Sequence, residues 1–195
     1  MNRKKQPTIE QERVLLVGVQ FPAVSNEDHD ASMDELERLV ETLGGVVVDR
    51  FSQRRKEPKP ATFIGIGKAE EIGNVAKQLE CDLVDFDDEL TGTQQKNLEK
   101  IADCRIVDRT GVILDIFSKH ARTKESKNQV ELASLEYLSS HLTRRWTHLE
   151  RQRGGIGLRG VGERQIELDR RMIRHRISKL KEELADIERK HGMLK

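Results

Sequence analysis

The sequence has few of the residues that mark a disulfide scaffold, a membrane protein or an aromatic-rich core. Of its 195 residues, two are cysteine and 4% are aromatic. Two thiols make no disulfide framework, and Cys81 and Cys104 are not spaced like metal ligands, so we expect both to be reduced core residues. No apolar run approaches the roughly 18 residues of a membrane span, and the polar start lacks a signal-peptide core. These absences predict a cytoplasmic protein with no membrane span.

An excess of one charge is also missing, because 35 Lys and Arg residues balance 34 Asp and Glu residues. The balance is uneven along the chain. Residues 1–143 carry a net charge of −6, whereas residues 144–176 carry a net charge of +6. An acidic body with one basic segment indicates a local contact with a polyanion.

Strand-like and helical patterns alternate from residue 13 to about residue 121. Short apolar runs predict strands, and apolar residues at helical spacing between them predict helices. This alternation indicates an α/β subdomain, residues 1–121, in which helices cover a mostly parallel sheet. Strands are expected at residues 13–19, 46–51, 62–64, 82–86 and 104–107.

Local signals predict how several of these elements begin and end. We expect Ser32, Thr91 and Thr110 to cap helices, with Gln94 completing a capping box at Thr91. Gly44 with Gly45 should end the first helix. The basic, proline-containing residues 53–60 are expected to form a flexible loop.

Two stretches of the α/β part are candidates for binding a nucleotide. Gly65, Gly67 and Lys68 lie between a strand and a helix, where a phosphate can bind, but the P-loop pattern has Thr62 in place of its first Gly and Ala69 in place of its Ser or Thr. Asp87 and Asp88 follow a predicted parallel strand and could hold Mg²⁺. Each stretch also has a structural interpretation, as a tight turn and as acids that favour a helix N-terminus.

A long helical hairpin is predicted for residues 122–195. Apolar residues step by three and four from Lys124 to about Glu150, and again from Ile173 to Ile187. Two such seams joined by one loop predict a pair of antiparallel helices. A helix rises about 1.5 Å per residue, so 25 residues would carry the loop roughly 35–40 Å from its base.

The loop between the two predicted helices, Arg151–Glu163, contains five Gly and three Arg residues. Gly lets another backbone approach closely, and Arg offers a planar donor fork that suits phosphate. This composition favours a loop that enters nucleic acid, although a plain connection between helices is also compatible with it. About half of the arginines beyond the loop could instead pair with local acids. The candidate RNA-binding residues are Arg151, Arg153, Gly154, Gly155, Gly157, Arg159, Gly160, Gly162, Arg164, Arg170, Arg171 and Arg174.

The run from Gly154 to Glu167, followed by Asp169-Arg170-Arg171, resembles the N-terminal region of the HflX family of ribosome-associated GTPases. Residues 65–72, 86–99 and 108–117 are similar as well. The family usually has Thr at position 158, Pro at 161 and Thr at 164, where this sequence has Leu, Val and Arg.

The resemblance implies a ribosome-binding chain. Its Gly-rich tip would reach rRNA of the large ribosomal subunit near the peptidyl transferase centre, in a protein that helps split or rescue stalled ribosomes under stress. The family's GTPase domain follows the hairpin, and this sequence reaches Lys195 without a Gly-x4-Gly-Lys-Ser/Thr motif. GTP and Mg²⁺ are therefore expected in that domain and no cofactor in this chain, which should be a monomer. Two alternatives stay open: an ATP-binding α/β body with weak hydrolase activity, and a scaffold whose hairpin pairs with another protein.

Overall fold

A computed structural model describes residues 11–141 and 162–192, with the side chains of the last helix described between Arg170 and Lys190. Strands and helices alternate through the first part, and two long helices follow. The elements in chain order are β1 (Arg13–Gln20), α1 (Asn26–Leu43), β2 (Val46–Arg54), α2 (Ile66–Gln78), β3 (Leu83–Phe86), α3 (Gly92–Ala102), β4 (Arg105–Asp108), α4 (Arg109–His120), α5 (Lys124–His141) and α6 (Gly162–Gly192).

The four strands form one sheet in the order β2-β1-β3-β4, and each neighbouring pair is parallel. In the registers, Val14 of β1 lies beside Leu83 of β3, and Val84 of β3 lies beside Ile106 of β4. The predicted α/β class with a parallel sheet and covering helices is confirmed.

Both faces of the sheet are covered, which explains why β1 is an unbroken apolar run. Successive side chains of a strand point to opposite faces. Leu15 and Val17 pack with α2 and α3 on one face, while Val14 and Leu16 pack with α1 on the other. The sheet edge that carries the strands' carboxyl ends is left for loops and helix N-termini.

Two of the three predicted N-caps are wrong, and the competing cap is visible in each case. Helix α1 begins at Asn26, nearly two turns before Ser32, because Ser25 caps it by accepting a hydrogen bond from the Asp28 amide. Helix α4 is capped by Asp108 instead of Thr110, through the Gly111 amide. The capping box predicted at Thr91 is present. In both helices the residue predicted as the cap, Ser32 or Thr110, lies inside the helix, and a residue before it is the cap.

The predicted strand at residues 62–64 is also wrong. Phe63 has a φ of 63°, in the left-handed region, and forms an isolated antiparallel bridge with Lys59. This segment closes a short loop after β2, which extends to Arg54 and so includes the first residues of the predicted loop. Aromatic and β-branched residues suggested a strand, but this segment never joins the sheet.

Helices α5 and α6 form the predicted hairpin. Asn128 contacts Glu183, whereas Glu131, later on α5, pairs with Arg176, earlier on α6, as in an antiparallel pair. Leu180 is fully buried, and its seam neighbours Ile177 and Leu184 are partly buried. The predicted extension of the first helix beyond His141 lies outside the described residues. The subdomain boundary at residue 121 stays a prediction.

Candidate functional site

The winding of the sheet reverses between β1 and β3. From β1 the chain crosses to β2 on one side, and from β2 it crosses to β3 on the other. In open parallel sheets, ligands bind in the crevice outside the carboxyl ends of the two strands at such a reversal. Asp87 and Asp88 directly follow β3 and therefore lie at this edge.

Asp87 is held by groups from two helices. Its Oδ2 accepts a hydrogen bond from the Ser32 hydroxyl of α1 at 2.6 Å, and its Oδ1 pairs with Nη1 of Arg109 of α4 at 2.6 Å. Arg109 also pairs with Glu35. Burial opposes the charge of Arg109, but its hydrogen bonds to these two carboxylates outweigh that effect and raise its pKa. The Asp87 carboxylate therefore has internal partners, which a ligand would have to displace or extend.

The two neighbouring acids, Asp88 and Asp85, are more weakly satisfied. Burial raises the pKa of Asp88 to about 6, against a hydrogen bond that its Oδ2 accepts from the Val19 amide at 3.2 Å. Asp85, in the middle of β3, is fully buried, and neither carboxylate oxygen has a hydrogen-bond partner among the described residues. Burial, and after it the charge of Asp108, raises the pKa of Asp85 to about 8. At neutral pH Asp85 is mostly a neutral acid.

The other candidate stretch begins α2, on the opposite face of the sheet from Asp87. Lys68 pairs with Glu71 at 2.8 Å and lies 4.7 Å from the centroid of the Phe51 ring. Gly65 is the N-cap residue in an extended conformation, and a Cβ on Gly67 would meet nothing within 4 Å. No hydrogen bond within the described part of the chain joins Lys68 to Asp87 or Asp88.

Metal binding has no preformed cluster in the part of the chain that the structure describes. Within it, no three His, Cys, Asp or Glu side chains come together in a way that could hold a metal ion. The same part contains no helix with the length and apolar character needed to cross a bilayer. A nucleotide site at either candidate stretch stays a prediction.

The α5–α6 hairpin is joined by polar pairs along its length. Arg176 donates from Nε and Nη2 to the two carboxylate oxygens of Glu131, at 2.6 and 2.7 Å. Lys181 pairs with Glu136 at 2.9 Å. Arg176, which follows the candidate RNA-binding arginines along α6, is therefore one of the structural arginines that the sequence led us to expect.

The candidate RNA-binding residues divide into three groups by position. Arg170, Arg171 and Arg174 are exposed on α6. Gly162 and Arg164 lie in the first turn of α6, whose side chains are outside the description. The remaining candidates, Arg151, Arg153, Gly154, Gly155, Gly157, Arg159 and Gly160, lie in residues 142–161, outside the described residues.

The end of α5 is anchored on the α/β body by a buried polar joint that the sequence analysis missed. Asp108, which is 1% exposed, accepts hydrogen bonds from the Tyr137 hydroxyl at 2.8 Å and from the Leu90 amide at 3.0 Å. His141 Nε2 lies 2.8 Å from the Leu90 carbonyl oxygen, and its ring stacks on Tyr137. Gly92 leaves room for this joint, since a Cβ there would lie 2.4 Å from the Ser140 carbonyl oxygen.

A basic loop, residues 55–60, lies beside the N-terminus of α3. The Lys59 carbonyl accepts from the Gln94 side chain at 3.1 Å, and the Asn97 side chain donates to the Ala61 carbonyl at 2.8 Å. Gln94 and Gly92 belong to one turn of α3, so the basic loop and the end of α5 flank that turn. Lys56 and Lys59 are exposed, and no carboxylate among the described residues pairs with either ammonium. The run of cations was visible in the sequence, but its position beside the hairpin was not.

Comparisons with known proteins agree with this architecture. The family described as the GTP-binding GTPase N-terminal region matches residues 30–118, and the GTP-binding GTPase middle region matches residues 120–195. The GTPase HflX of Flavobacterium psychrophilum is 49% identical over 185 residues, which is 95% of this chain and 45% of that protein. The GTPase HflX of Escherichia coli strain K12 is 46% identical over 179 residues, which is 91% of this chain and 41% of that protein.

Two solved structures share the fold at low sequence identity. A complex of SsGBP with GDP matches with a TM-score of 0.65 and 21% identity, over 94% of this chain and 46% of that one. A GTP-binding protein of Sulfolobus solfataricus, also in complex with GDP, matches with a TM-score of 0.59 and 22% identity, over 91% of this chain and 46% of that one. The chain spans less than half the length of the curated relatives named above. It belongs to the HflX family of GTPases and corresponds to the N-terminal region of that family.

Proposed function

We propose that this chain is the ribosome-binding region of an HflX-type GTPase, which contacts rRNA of the large subunit through its Gly- and Arg-rich segment and takes part in splitting or rescuing ribosomes under stress. GTP and Mg²⁺ would be bound by the GTPase domain of such a protein, and this region would supply the contact with RNA in the cytoplasm. It would act as a monomer.

The observation that carries the proposal is the separation of charge along the chain. Residues 144–176 carry a net charge of +6, and residues 1–143 carry −6. An acidic surface is repelled by phosphate, so binding must be concentrated on the basic segment. The hairpin supports this arrangement, because α5 is anchored on the body at His141 and the basic segment follows directly.

The basic loop extends this surface. Lys56 and Lys59 belong to the acidic part of the chain, yet the contacts at Gln94 and Asn97 fix their loop beside the end of α5. A polyanion that binds the segment after His141 would pass close to these two ammonium groups. We include both lysines in the proposed RNA-binding surface.

The test is binding to purified large ribosomal subunits at several salt concentrations. Each phosphate that the protein neutralises releases counterions, so the logarithm of the binding constant falls with the logarithm of salt by roughly 0.7–0.9 per contact. Arg151→Ala with Arg153→Ala and Arg159→Ala should weaken binding and reduce that slope by about two.

The matched control removes three exposed cations from the acidic body, by Arg38→Ala with Lys77→Ala and Lys100→Ala. It makes the same change in net charge and should leave binding close to that of the unmodified chain. Equal losses in the two triple variants would show that only net charge matters, and unchanged binding in the first would contradict the proposed contact.

The second candidate function is ATP binding with weak hydrolysis in the α/β body. It is favoured by Asp85, which lies close to the sheet edge that carries Asp87 and whose buried carboxyl oxygens have no hydrogen-bond partner in the described part of the chain. Calorimetric titration with ATP and Mg²⁺ tests it, with Asp87→Asn as the variant. Heat that disappears in that variant would support a site at this edge, and no heat at millimolar ATP would exclude it.

A further inference from the structure

The two cysteines come together at the amino edge of the sheet, opposite the edge that carries Asp87. Cys81 lies two residues before the first residue of β3, and Cys104 directly precedes β4. These strands are paired, with Leu83 beside Arg105. Each thiol follows a helix that ends in a left-handed residue, Glu80 with a φ of 51° and Asp103 with a φ of 50°. Two similar helix-to-strand turns therefore lie side by side, and in each a cysteine directly follows the left-handed residue.

Close packing of α2 on α3 holds these two turns together. A Cβ on Gly73 of α2 would lie 2.6 Å from Cα of Ala102 of α3. Both thiols are partly buried against the same hydrophobic cluster. Neighbouring strands lie about 4.8 Å apart, and the paired starts of β3 and β4 bring the segments that carry the two cysteines to neighbouring positions. Neighbouring positions of this kind are within the range that a disulfide can bridge.

The electrostatic surroundings agree with this proximity. Burial raises the pKa of Cys104, the Cys81 thiol raises it further, and a hydrogen bond from the Arg105 amide opposes both effects. Burial also raises the pKa of Cys81, but the Arg13 guanidinium opposes it. Arg13 is fixed there by hydrogen bonds from Nε and Nη2 to the Leu79 carbonyl oxygen, at 3.1 and 2.9 Å.

We propose that Cys81 and Cys104 form a reversible intramolecular disulfide when the chain meets a hydroperoxide, which makes the amino edge of the β3–β4 pair an oxidation site. Cys81 reacts first, because the Arg13 guanidinium, fixed beside it, stabilises negative charge on its sulfur. Cys104 then resolves the product.

Both steps balance. The Cys81 sulfur attacks hydrogen peroxide, forms an S–O bond and breaks the O–O bond, and the departing hydroxide takes up a proton as water. The Cys104 sulfur then attacks the resulting sulfenic acid, so that an S–S bond replaces the S–O bond and a second water leaves. Two thiols are oxidised by two electrons, and one peroxide is reduced to two waters.

The experiment treats the fully reduced chain with hydrogen peroxide and maps its peptides without reduction. We expect one peptide pair joined through Cys81 and Cys104, a monomeric product, and recovery of both free thiols with dithiothreitol. Because the bridge restricts the unfolded chain, the oxidised form should unfold at a higher temperature than the reduced form.

Single variants separate the two roles. Cys104→Ser should accumulate a sulfenic acid at Cys81 that dimedone traps, whereas Cys81→Ser should trap much less at Cys104 under the same treatment. Two free thiols, a disulfide between chains, or sulfinic acid without the internal bridge in the unmodified chain would each overturn the proposal. These readouts do not involve RNA, so they stand or fall independently of ribosome binding.

Discussion

Two buried aspartates show how position within one sheet decides whether a carboxyl group finds hydrogen-bond donors. Asp108 ends β4 and can reach the amides at two helix N-termini, so its oxygens accept hydrogen bonds from Leu90, Gly111 and Tyr137. Asp85 lies in the middle of β3, where the neighbouring backbone groups are already used by the sheet, and its oxygens have no partner among the described residues. Burial without a donor disfavours the charged form and raises the pKa of Asp85 to about 8.

Asp85→Asn should make the folded state more stable at alkaline pH. The folded protein holds a proton on Asp85 up to about pH 8, whereas the unfolded chain releases it near the ordinary value of 3.8. The contribution of this group to the free energy of unfolding is therefore fully present below about pH 4 and is lost as pH rises to about 8. The variant, which cannot ionise, should therefore gain on the order of 1–3 kcal/mol more at pH 8 than at pH 5, as measured by urea unfolding at both values.

Asp103→Asn is the control for that experiment. Asp103 is exposed and left-handed, a conformation that Asn tolerates. The free energy of unfolding of the Asp103→Asn variant should equal that of the unmodified chain across the same pH range. A gain in Asp85→Asn that is the same at pH 5 and pH 8 would contradict the assignment of a buried acid with a raised pKa.

Among the helices and strands, α3 has an N-terminus that contacts both the hairpin and the basic loop. The first turn of α3 contacts the end of α5 through Gly92 and the basic loop through Gln94. The capping box at Thr91 fixes where that turn begins. A change in this one turn is therefore expected to reach both the hairpin and the loop.

Gly92→Ala should loosen the contact between α3 and α5. The new Cβ would lie 2.4 Å from the Ser140 carbonyl oxygen and 2.9 Å from Cα of His141, both of them backbone atoms that cannot rotate away. Overpacking of this kind costs typically 1–3 kcal/mol. We expect a lower midpoint of urea unfolding and faster proteolysis within α5.

Gly67→Ala is the matched control in another helix. Nothing lies within 4 Å of its added Cβ, so the substitution should be neutral or stabilise the protein by up to about 1 kcal/mol through helix propensity. Equal destabilisation by the two substitutions would argue against a specific contact at Gly92.

The pair Glu131–Arg176 should contribute to the registration of α5 against α6. The hydrogen bond from Arg176 lowers the pKa of Glu131, so the stability that the pair contributes is present at neutral pH and is lost as pH falls through that lowered pKa. Arg176→Glu alone should lower the midpoint of thermal unfolding, and adding Glu131→Arg should restore most of it. No recovery in the double variant would show that the two side chains do not act together.

Across the whole molecule, the fold determines where positive charge lies relative to the acidic body. The α/β body is acidic but carries the basic loop on the edge where α5 ends, and the basic segment of the chain follows His141. Attraction of a polyanion to that segment would then be strengthened by the nearby basic loop. This arrangement predicts that the basic loop contributes to RNA binding, which its local sequence alone does not show.

Lys56→Ala with Lys59→Ala should weaken binding to large ribosomal subunits and reduce the salt slope by up to about two, because each lysine that meets a phosphate contributes roughly 0.7–0.9. The fold should be unaffected, since both side chains are exposed and the loop is held through backbone carbonyls. Lys77→Ala with Lys100→Ala removes the same charge elsewhere and serves as the control. Indistinguishable salt slopes for the two double variants would remove the loop from the proposed surface.

The sequence by itself determined the α/β alternation, the hairpin and the family. Each of these rests on periodicity or on a long motif, signals that survive without knowledge of contacts. It placed the start of α1 at Ser32, whereas Ser25 is the cap and Ser32 lies inside the helix with its hydroxyl donating to Asp87. It could not recognise that residues 62–64 stay outside the sheet, because strand propensity is decided by pairing.

The meeting of residues far apart in the chain became visible only in the fold. It placed Tyr137 on Asp108, left Asp85 without a hydrogen-bond partner among the described residues and brought Cys81 near Cys104. Such pairings depend on strand order and on helix packing between residues far apart in the chain, and local patterns do not encode these distances. The RNA contact of the Gly- and Arg-rich segment remains a prediction from the sequence. An Arg- and Gly-rich composition indicates which ligand chemistry suits the segment, but it does not fix a geometry.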